Sequence, residues 1–381
     1  MSRGMPPCPQ PHYTLNMDRE TLADAVEQGR AELHRFEALR YARLTESVAG
    51  HPRGSVVLPD GIVIPGYPSI ARIHTLSAGL SEQFRGHFWA EEKIDGFNVR
   101  ILRHEDRVYA FSRGGFVCPF STDRLPDFID LALFEAEPEL VLCAEIAGPD
   151  NPYLEGAPAF VARDVALYVF DMMRKGVPGF LPQREKLERI ERHQLPATRI
   201  FGRFRPADVE ALRRLILQLD EEGAEGLVFK GESEANRAKY VTGSSHVTDI
   251  RVCSAQLLDL PPEYFTNRLV RLALFVTEHG QQEDPELERS LGTALLSGLN
   301  AAVELSRTRG RVDHRYRCRF RERANALHFI EHMKATGGQR VRFHPGMPRA
   351  VDGYWELEFD RVFDRMTGTL ATALSGAIQF D

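Results

Sequence analysis

The stretch that decides the fold lies at positions 91–100 and reads Glu91-Glu92-Lys93-Ile94-Asp95-Gly96-Phe97-Asn98-Val99-Arg100. It places a lysine beside carboxylates and follows it closely with a glycine. Apolar residues precede the lysine at 88–90, and Val99, Ile101 and Leu102 follow it, so the lysine stands between two predicted strands. Asp-Gly is a frequent turn dipeptide, and these residues alone favour a surface hairpin with a solvated lysine. Companion residues elsewhere in the chain must decide between a turn and a site.

The chemistry that suits this arrangement is attack by a lysine amine on the α-phosphorus of a nucleotide. A lysine is a nucleophile only when it is unprotonated, so the site must lower the pKa of Lys93 with cations, a metal ion or burial. Asp95 is placed to bond a ribose hydroxyl or to orient the amine. Gly96 would let the backbone pass close to a ligand. We therefore interpret Lys93 as a candidate nucleophile.

Length and composition describe a globular protein of several domains. The 381 residues suggest two to four domains, and 43% apolar with 27% charged residues supply a core. We expect no membrane span, because no apolar run reaches about 18 residues, and residues 1–10 lack the apolar segment of a secretory signal. Five scattered cysteines argue against a disulfide framework or structural zinc and favour the cytoplasm. A net charge of −6 argues against general nucleic-acid affinity.

The chain begins with a small module over residues 1–65. Apolar residues recur at three- and four-residue spacing and predict one helix over 18–48. Two short apolar runs then flank Pro59-Asp60-Gly61 and predict a hairpin over 56–64. Nothing in this module indicates chemistry.

Residues 66–252 read as short strands separated by turns, with helices over 182–193 and 206–222. Several predicted strands carry a charged residue at or beside one end. These residues are Arg113, Glu145, Asp171, Glu225, Lys230 and Lys239. Together with Lys93 they form a consistent nucleotide site and indicate a catalytic domain.

Two helices are predicted within residues 253–312. The first is marked by apolar residues from Phe265 to Val276, and the second opens at Asp284-Pro285 and ends at Gly310. Their leucine-rich face must be buried, either on the catalytic core or against another copy of the chain.

Residues 313–381 read as a small α/β module, with strands at 316–320, 339–343 and 354–359 and a helix over 322–334. Every second residue of the first strand is basic, so one face presents Arg315, Arg317, Arg319 and Arg321. A contact with a phosphate backbone and a solvated strand face explain this pattern equally well.

The order and chemistry of these residues resemble the covalent nucleotidyltransferase superfamily of ATP-dependent ligases and capping enzymes, with a candidate for each of six motifs over about 160 residues. The resemblance implies that Lys93 becomes adenylylated, that Glu225 engages the metal and that Lys239 contacts the α-phosphate. A second lysine usually follows closely in that last motif but does not here, so Lys230 stays open as the alternative. The residues assigned to the nucleotide are Glu92, Asp95, Gly96, Asn98, Arg100, Arg113, Glu145, Phe170 and Asp171, with Glu145 a second metal candidate.

Within this superfamily the chain is most similar to archaeal-type homodimeric RNA ligases that join or circularise RNA. The likeness rests on 92–100, 145–153, 239–242 and Gly353-Tyr354-Trp355-Glu356-Leu357-Glu358-Phe359. It implies an α+β fold: a nucleotidyltransferase core of antiparallel sheets flanked by helices, an N-terminal appendage, a helical dimerisation hairpin and the C-terminal module. It also implies ATP, Mg²⁺ or Mn²⁺, and RNA with 5′-phosphate and 3′-hydroxyl ends. The alternatives are a DNA ligase, a GTP-dependent capping-type enzyme and a non-catalytic RNA-binding protein.

Overall fold

A computed structural model of the chain describes residues 15–231, 236–337 and 340–377. The expectation for residues 1–10, and the start of the strand expected over 339–343, lie outside these ranges.

The N-terminal module is a short helix followed by a four-stranded antiparallel sheet. The elements are α1 (Arg19–Glu27), β1 (Ala31–Phe36), β2 (Leu39–Leu44), β3 (Val56–Val57) and β4 (Val63–Ile64), with the strands paired in sequence order. The hairpin predicted over 56–64 is confirmed.

The single helix predicted over 18–48 is wrong. Asp18 caps α1 by accepting a bond from Thr21 N at 2.8 Å, but the chain turns at Gly29 with a positive φ of 71° and continues as the β1–β2 hairpin. Leu33, one of the residues that suggested a helical face, is 68% exposed on β1. Spacing alone did not separate a helix from a strand here, because one exposed leucine completed the helical pattern.

The predicted catalytic domain, residues 66–252, follows with two further sheets. Its first elements are β5 (Ala71–Arg72), α2 (Leu76–Gln83), β6 (Phe88–Lys93), β7 (Phe97–His104), β8 (Arg107–Ser112), α3 (Pro119–Arg124), α4 (Leu133–Ala136) and β9 (Leu140–Ala147). The remaining ones are β10 (Ala166–Arg174), α5 (Gln183–Arg192), β11 (Ile200–Phe204), α6 (Val209–Glu221), β12 (Gly226–Lys230) and β13 (Arg237–Val241).

These strands form one sheet in the order β10-β9-β7-β8 and another in the order β11-β6-β12-β13-β5. Pairs in both sheets are antiparallel except β13 with β5, which is parallel. Lys93 ends β6 in one sheet and Phe97 begins β7 in the other, so the decisive stretch is the crossing between the two sheets.

Helices and a last sheet complete the chain. They are α7 (Gly243–Ser254), α8 (Pro262–His279), α9 (Pro285–Arg309), β14 (Asp313–Phe320), α10 (Arg323–Gly337), β15 (Val341–Phe343), β16 (Arg349–Val351), β17 (Tyr354–Val362) and α11 (Asp364–Leu374). The predicted ends of α9 are confirmed: Asp284 accepts from Glu286 N at 2.9 Å and Gly310 has a φ of 67°. Part of the leucine face packs on α7 in the same chain, through Val247, Ile250, Leu272 and Ala294.

The four alternating arginines, three on β14 and Arg321 directly after it, do not form a free basic face. Arg315 bonds Asp360 at 3.1 Å, Arg317 bonds Asp150 at 3.1 Å, Arg319 lies 3.7 Å from Asp150 and Asp164, and Arg321 bonds Asp127 at 2.5 Å. Three of these arginines therefore tie the C-terminal module to the catalytic domain by charge, a role that neither expectation included. The inward packing predicted for Tyr316, Cys318 and Phe320 is confirmed, since all three are buried.

Within the described ranges, no helix combines the length and the apolar character that a bilayer crossing requires.

Candidate active site

A cleft of about 340 Å³ opens between the two catalytic sheets, at the point where the chain crosses from β6 to β7. Most of the predicted site residues line it, although they are scattered over more than 140 positions of the sequence. Those residues are Glu92, Lys93, Asp95, Gly96, Asn98, Arg113, Glu145, Phe170, Lys230 and Lys239.

Strand register places the charged residues of this cleft in a common row. Glu91 on β6 pairs with Val228 on β12, and Val228 pairs with Lys239 on β13. Directly paired residues project from the same face of a sheet, and residues two apart on one strand share that face. Lys93, two residues beyond Glu91, therefore faces the same side as Lys239.

Lys93 donates to a glutamate across the sheet. Its Nζ lies 2.6 Å from Oε2 of Glu225, the residue that precedes β12, and both side chains are half-buried. Burial alone would lower the pKa of Lys93, but the negative charges of Glu225, Glu145 and Asp95 outweigh it and leave the pKa raised. The expectation that nearby cations or burial lower the pKa of Lys93 is therefore contradicted for the free protein, in which the amine is protonated.

Two further carboxyl groups stand beside this pair with little positive charge to balance them. Burial, followed by the charge of Glu225, raises the pKa of Asp95 to about 7. Burial also raises the pKa of Glu145 to about 7, against the opposing effect of Lys93 and of a 3.2 Å bond from Asn98 Nδ2. The Oε2 atom of Glu145 is buried without a hydrogen-bond partner among the described residues.

This surplus of carboxylate oxygen suits a divalent cation. Mg²⁺ prefers oxygen ligands and is usually held by one or two protein carboxylates together with substrate phosphates and water. Glu225 and the unpartnered oxygen of Glu145 fit that pattern. A complete protein cage is not built here, because no three acidic, histidine or cysteine side chains of the described ranges converge on one point.

Gly96 is required by the close approach of strand β9 to the crossing between β6 and β7. A Cβ at this position would lie 2.9 Å from the Cβ of Glu145 and 3.0 Å from the carbonyl oxygen of Ile146. The neighbour that excludes a side chain is therefore strand β9, whereas we expected a ligand. The glycine lets β9 bring Glu145 up to Lys93.

The two candidate lysines occupy different environments. Lys230 Nζ is buried and donates to Glu91 at 2.8 Å and to the carbonyl oxygen of Phe170 at 2.6 Å, and it lies 3.3 Å from Asp171. Lys239 forms no ion pair within the described part of the chain. Burial and the charges of Arg72, Lys93 and Arg113 lower its pKa to about 8.

Phe170 is held at the cleft by a buried ionic cluster. Its carbonyl oxygen accepts from both Lys230 and Lys186, and Glu91 accepts from the same two lysines at 2.8 and 2.6 Å. A register shift in β10 at this residue turns the ring toward the cleft, where Tyr67 packs edge-on at 5.2 Å.

Asp171 does not line the cleft but lies beneath it. It accepts from Tyr67 Oη at 2.7 Å and from Arg237 Nη1 at 2.5 Å, and its pKa is lowered by Lys230 and Arg237 despite its burial. A direct nucleotide contact by Asp171 is therefore contradicted, because both carboxylate oxygens are already occupied by protein donors.

Arg100 is also placed away from the nucleotide. It is fully buried, and its guanidinium donates to the carbonyl oxygens of Gly54, Ile64, Pro65 and Ser112. These bonds tie the N-terminal module to the catalytic domain. The predicted nucleotide contact of Arg100 is contradicted, because the side chain never reaches the cleft.

Two remaining predicted residues, Arg113 and Glu92, line the cleft but have different partners. Arg113 donates to Pro68 O at 3.3 Å and Ser69 Oγ at 3.2 Å, both neutral groups. Glu92 is different, since Arg199 holds both of its carboxylate oxygens at 2.8 and 2.9 Å.

Sequence reasoning missed the supporting residues Glu91, Lys186, Arg237 and Tyr67. Glu91 stood in the quoted stretch, and its place two residues before Lys93 on one strand was a usable signal. Lys186 had no comparable signal, because it lies on α5 within a run of charged residues that reads as a solvated helix.

Family models and solved structures that resemble this chain are described as ligases. A family model described as "RNA ligase" matches residues 86–241, and one described as "Ligase Pab1020 C-terminal region" matches residues 252–377. A solved structure described as a putative ATP-dependent DNA ligase from Aquifex aeolicus is 42% identical, with a TM-score of 0.89 over 95% of this chain and 100% of that one. The chain belongs to the RNA ligase family. The resemblance drawn from the motifs is thereby confirmed at the level of the ligase nucleotidyltransferase superfamily.

Other members extend over nearly the same length as this RNA ligase family protein. A solved structure described as an archaeal ATP-dependent RNA ligase is 26% identical, with a TM-score of 0.84 over 94% of this chain and 96% of that one. An uncharacterised protein of Methanocaldococcus jannaschii is 26% identical over 329 residues, which is 84% of this chain and 83% of the relative. The α+β fold class predicted from the sequence is confirmed by these likenesses.

Proposed function

We propose that this protein is an ATP-dependent RNA ligase that seals a 5′-phosphate to a 3′-hydroxyl through a lysyl-AMP and an adenylylated RNA end. The observation that carries the proposal is the position of Lys93 at the crossing between the two sheets, faced by Lys239 and bordered by Glu225 and Glu145. An amine, a free cation and oxygen ligands for a metal are what transfer of a nucleotidyl group requires.

In the first step the amine of Lys93 attacks the α-phosphorus of ATP. A nitrogen–phosphorus bond forms, the bond between the α-phosphorus and the bridging oxygen breaks, and pyrophosphate leaves. Lys93 must first lose to solvent the proton that Glu225 holds on it, and the proton released as the nitrogen–phosphorus bond forms leaves with pyrophosphate. A cation held by Glu225 would take up the charge of that carboxylate, and the charges of Lys239 and Arg113 would then favour the neutral amine.

A divalent cation, Mg²⁺ or Mn²⁺, would neutralise charge on the phosphates when bound. Glu225 and Glu145 are the residues that would hold it. Lys239 adds a positive charge at the α-phosphate, because its Nζ is free of protein carboxylates among the described residues. Lys230 serves the same site indirectly, by fixing Phe170.

The other cleft residues bind and orient the nucleotide. The half-buried ring of Phe170 is placed to stack on the adenine base, and Arg113 to contact the ribose or a substrate phosphate. Asp95, Gly96 and Asn98 shape the wall beside Lys93. Glu92 contributes through strand β6, since its carboxylate is bound to Arg199.

In the second and third steps AMP passes to a 5′-phosphate, and the RNA 3′-hydroxyl then displaces AMP. Sealing two ends of one strand would circularise it. Both steps use the same cleft, because AMP stays in place while the attacking group changes.

The experiment that tests this proposal weighs the protein by mass spectrometry after incubation with Mg²⁺ and either ATP or GTP, without nucleic acid. We expect the mass of one AMP to be added with ATP and nothing with Lys93→Ala. No gain with either nucleotide would refute the enzyme, and a gain with GTP alone would indicate a capping-type reaction.

A DNA ligase is the second candidate, and it is favoured by the Aquifex aeolicus relative, which is described as a putative ATP-dependent DNA ligase. Matched 5′-phosphorylated RNA and DNA strands, offered to the same adenylylated protein, separate the two. Sealing of DNA with rates equal to or above those for RNA would favour the second candidate.

We further propose that the active protein is a cytoplasmic homodimer joined through the outer face of α8 and α9. Large apolar side chains stay exposed on this face after α7 has packed, namely Leu269, Val270, Leu274 and Leu296, which are 38, 58, 37 and 57% exposed. Light scattering at micromolar concentration should give twice the chain mass, and Val270→Asp with Leu296→Asp should give the monomer. A wild-type monomer would remove this proposal.

A further inference from the structure

The row of paired residues Glu91, Val228 and Lys239 crosses the sheet β11-β6-β12-β13-β5, and it continues beyond Lys239. On the edge strand β5, Arg72 pairs directly with Lys239 and therefore projects from the same face, about 4.8 Å further from Lys93 in the direction of the row. The bond from Ile73 N to Lys239 O at 2.9 Å fixes this register. A second cation thus stands where a ligand continuing past Lys239 would arrive.

The helices that follow the catalytic domain bring more positive charge to Arg72. Arg268 and Arg271 lie three positions apart on α8 and share one face of it. Arg268 bonds Asp249 on α7 at 2.7 Å, which neutralises it. Arg72 and Arg271 form no ion pair with any residue of the described ranges, yet each is half-buried and the charge of Arg271 acts on Arg72.

A buried histidine completes this group. His246 on α7 is 4% exposed, and its Nδ1 has no hydrogen-bond partner among the described residues. Its pKa is lowered to about 3 by burial and by the charges of Arg72, Arg271 and Arg268, so the imidazole is neutral. An unpaired buried polar group is unfavourable, and a ligand that bonds this group would recover the cost.

We propose that Arg72, Arg271 and His246 form a subsite for the β- and γ-phosphates of ATP, and so for the pyrophosphate that leaves. This rests on the proposed function, because it extends the same nucleotide site. When the bond to the α-phosphorus breaks, its electron pair stays on the pyrophosphate oxygen. Two unpaired guanidinium groups stabilise that new charge, and they come partly from α8, which lies outside the catalytic domain.

The subsite predicts which steps depend on it. The subsite is needed when lysyl-AMP forms from ATP. It is also needed when pyrophosphate reverses that reaction. Sealing of RNA that already carries AMP on its 5′ end needs neither ATP nor pyrophosphate. Loss of a pyrophosphate subsite would therefore slow the formation and reversal of lysyl-AMP. Loss of a subsite for RNA phosphate would slow sealing instead.

The experiment uses the full chain with Arg72→Ala, Arg271→Ala and Arg72→Lys, and an exposed arginine on α6, Arg214→Ala, as the matched control. We measure AMP transfer from ATP to Lys93, formation of ATP from the adenylylated protein and added pyrophosphate, and sealing of pre-adenylylated RNA. We expect the alanine variants to slow the first two at least about tenfold and to change the third less than about twofold. Arg72→Lys should recover part of the loss, and Arg214→Ala should change nothing.

Two results would overturn the subsite. Equal slowing of all three reactions would assign the arginines to RNA binding or to folding, and unchanged rates in all three would remove them from the site. Failure of the proposed function is distinct from both, because the wild-type protein would then take up no AMP at all.

Discussion

At the scale of single residues, the site of the free protein is arranged to keep its nucleophile charged. Glu225, Glu145 and Asp95 surround Lys93 and raise its pKa, although burial acts in the opposite direction. A group that is protonated at rest cannot react with ATP until some of this negative charge is taken up elsewhere. We therefore expect the reactivity of Lys93 to depend on cation binding to these acids.

Glu225→Gln should shift the pKa of Lys93 to a lower value, because it removes the nearest negative charge and the 2.6 Å bond. The measurement is competitive acylation of the free protein across pH, with the modified Lys93 peptide quantified by mass spectrometry. We expect labelling to begin at lower pH than in the wild type. Glu222→Gln, at a glutamate that pairs with Arg199 instead, should leave the profile in place.

Asp95→Asn should stabilise the free protein by on the order of 1 to 2 kcal/mol at pH 8. The pKa of Asp95 is raised from 3.8 to about 7 in the folded state, so its protonated form favours folding. That contribution is fully present below pH 3.8 and is lost as pH rises to about 7, where the ionised group is buried at a cost. Urea unfolding should show the gain at pH 8 shrinking toward pH 5, and a gain independent of pH would contradict this account.

At the scale of elements, strand register decides which charges meet. The rows that cross β6, β12, β13 and β5 carry Glu91, Lys239 and Arg72 on one face, although these residues come from separate parts of the chain. The sequence supplied the strands and their charged ends. It did not supply the pairing, because nothing local indicates that β5 joins β13 in parallel.

The packing of α9 on α7 depends on a glycine without special backbone geometry. A Cβ at Gly298 would overlap Ser254 Oγ and lie 3.0 Å from Ala255 N and Arg251 O, whereas a Cβ at Gly292 on the same helix meets nothing within 4 Å. Gly298→Ala should therefore destabilise the protein by about 1 to 3 kcal/mol.

Gly292→Ala should stabilise it by up to about 1 kcal/mol, because alanine favours the helix and finds open space. Urea unfolding of the two variants side by side measures both effects. Equal changes would mean that α7 and α9 adjust freely to the added methyl group.

At the scale of the whole molecule, the C-terminal module shares its core with the catalytic domain. Phe320 packs edge-on against Phe120 at 5.6 Å, and Phe329 on α10 packs against Tyr153 at 5.8 Å. Arg124 adds a two-point bond to Asp164 and a bond to the carbonyl oxygen of Arg319. These contacts predict that the two parts unfold together.

The two tryptophans test this, because Trp89 lies on β6 and Trp355 on β17. In single-tryptophan variants, made by replacing the other with phenylalanine, both should report the same unfolding midpoint. Phe329→Ala should lower the free energy of unfolding by about 3 to 5 kcal/mol and shift both midpoints together. Leu327→Ala, at a position 37% exposed, should lower the free energy of unfolding much less. Separate midpoints would show two independent folding units.

The sequence by itself indicated the family, Lys93 as the candidate nucleophile and most of the residues that line the cleft. Two local patterns carried this information: Lys93 with Asp95 and Gly96, and charged residues at the ends of apolar runs. Local patterns can be read directly from the sequence. Element type was recovered wherever the apolar period was strong, as in α9. The prediction of element type was wrong over residues 18–48, because apolar residues of the short helix α1 and of the β1–β2 hairpin together recur at helical spacing.

Only the tertiary structure decided how the supporting charges are distributed. It placed Lys230 beside Glu91 and Asp171 and left Lys239 open to the cleft. It also buried Arg100 against four carbonyl groups and paired the arginines of β14 with acids. The physical reason is that burial and pairing, rather than residue type, fix what a charge can do. Lys93 is recognisable from its neighbours in sequence, but its protonation is set by Glu225, 132 positions away.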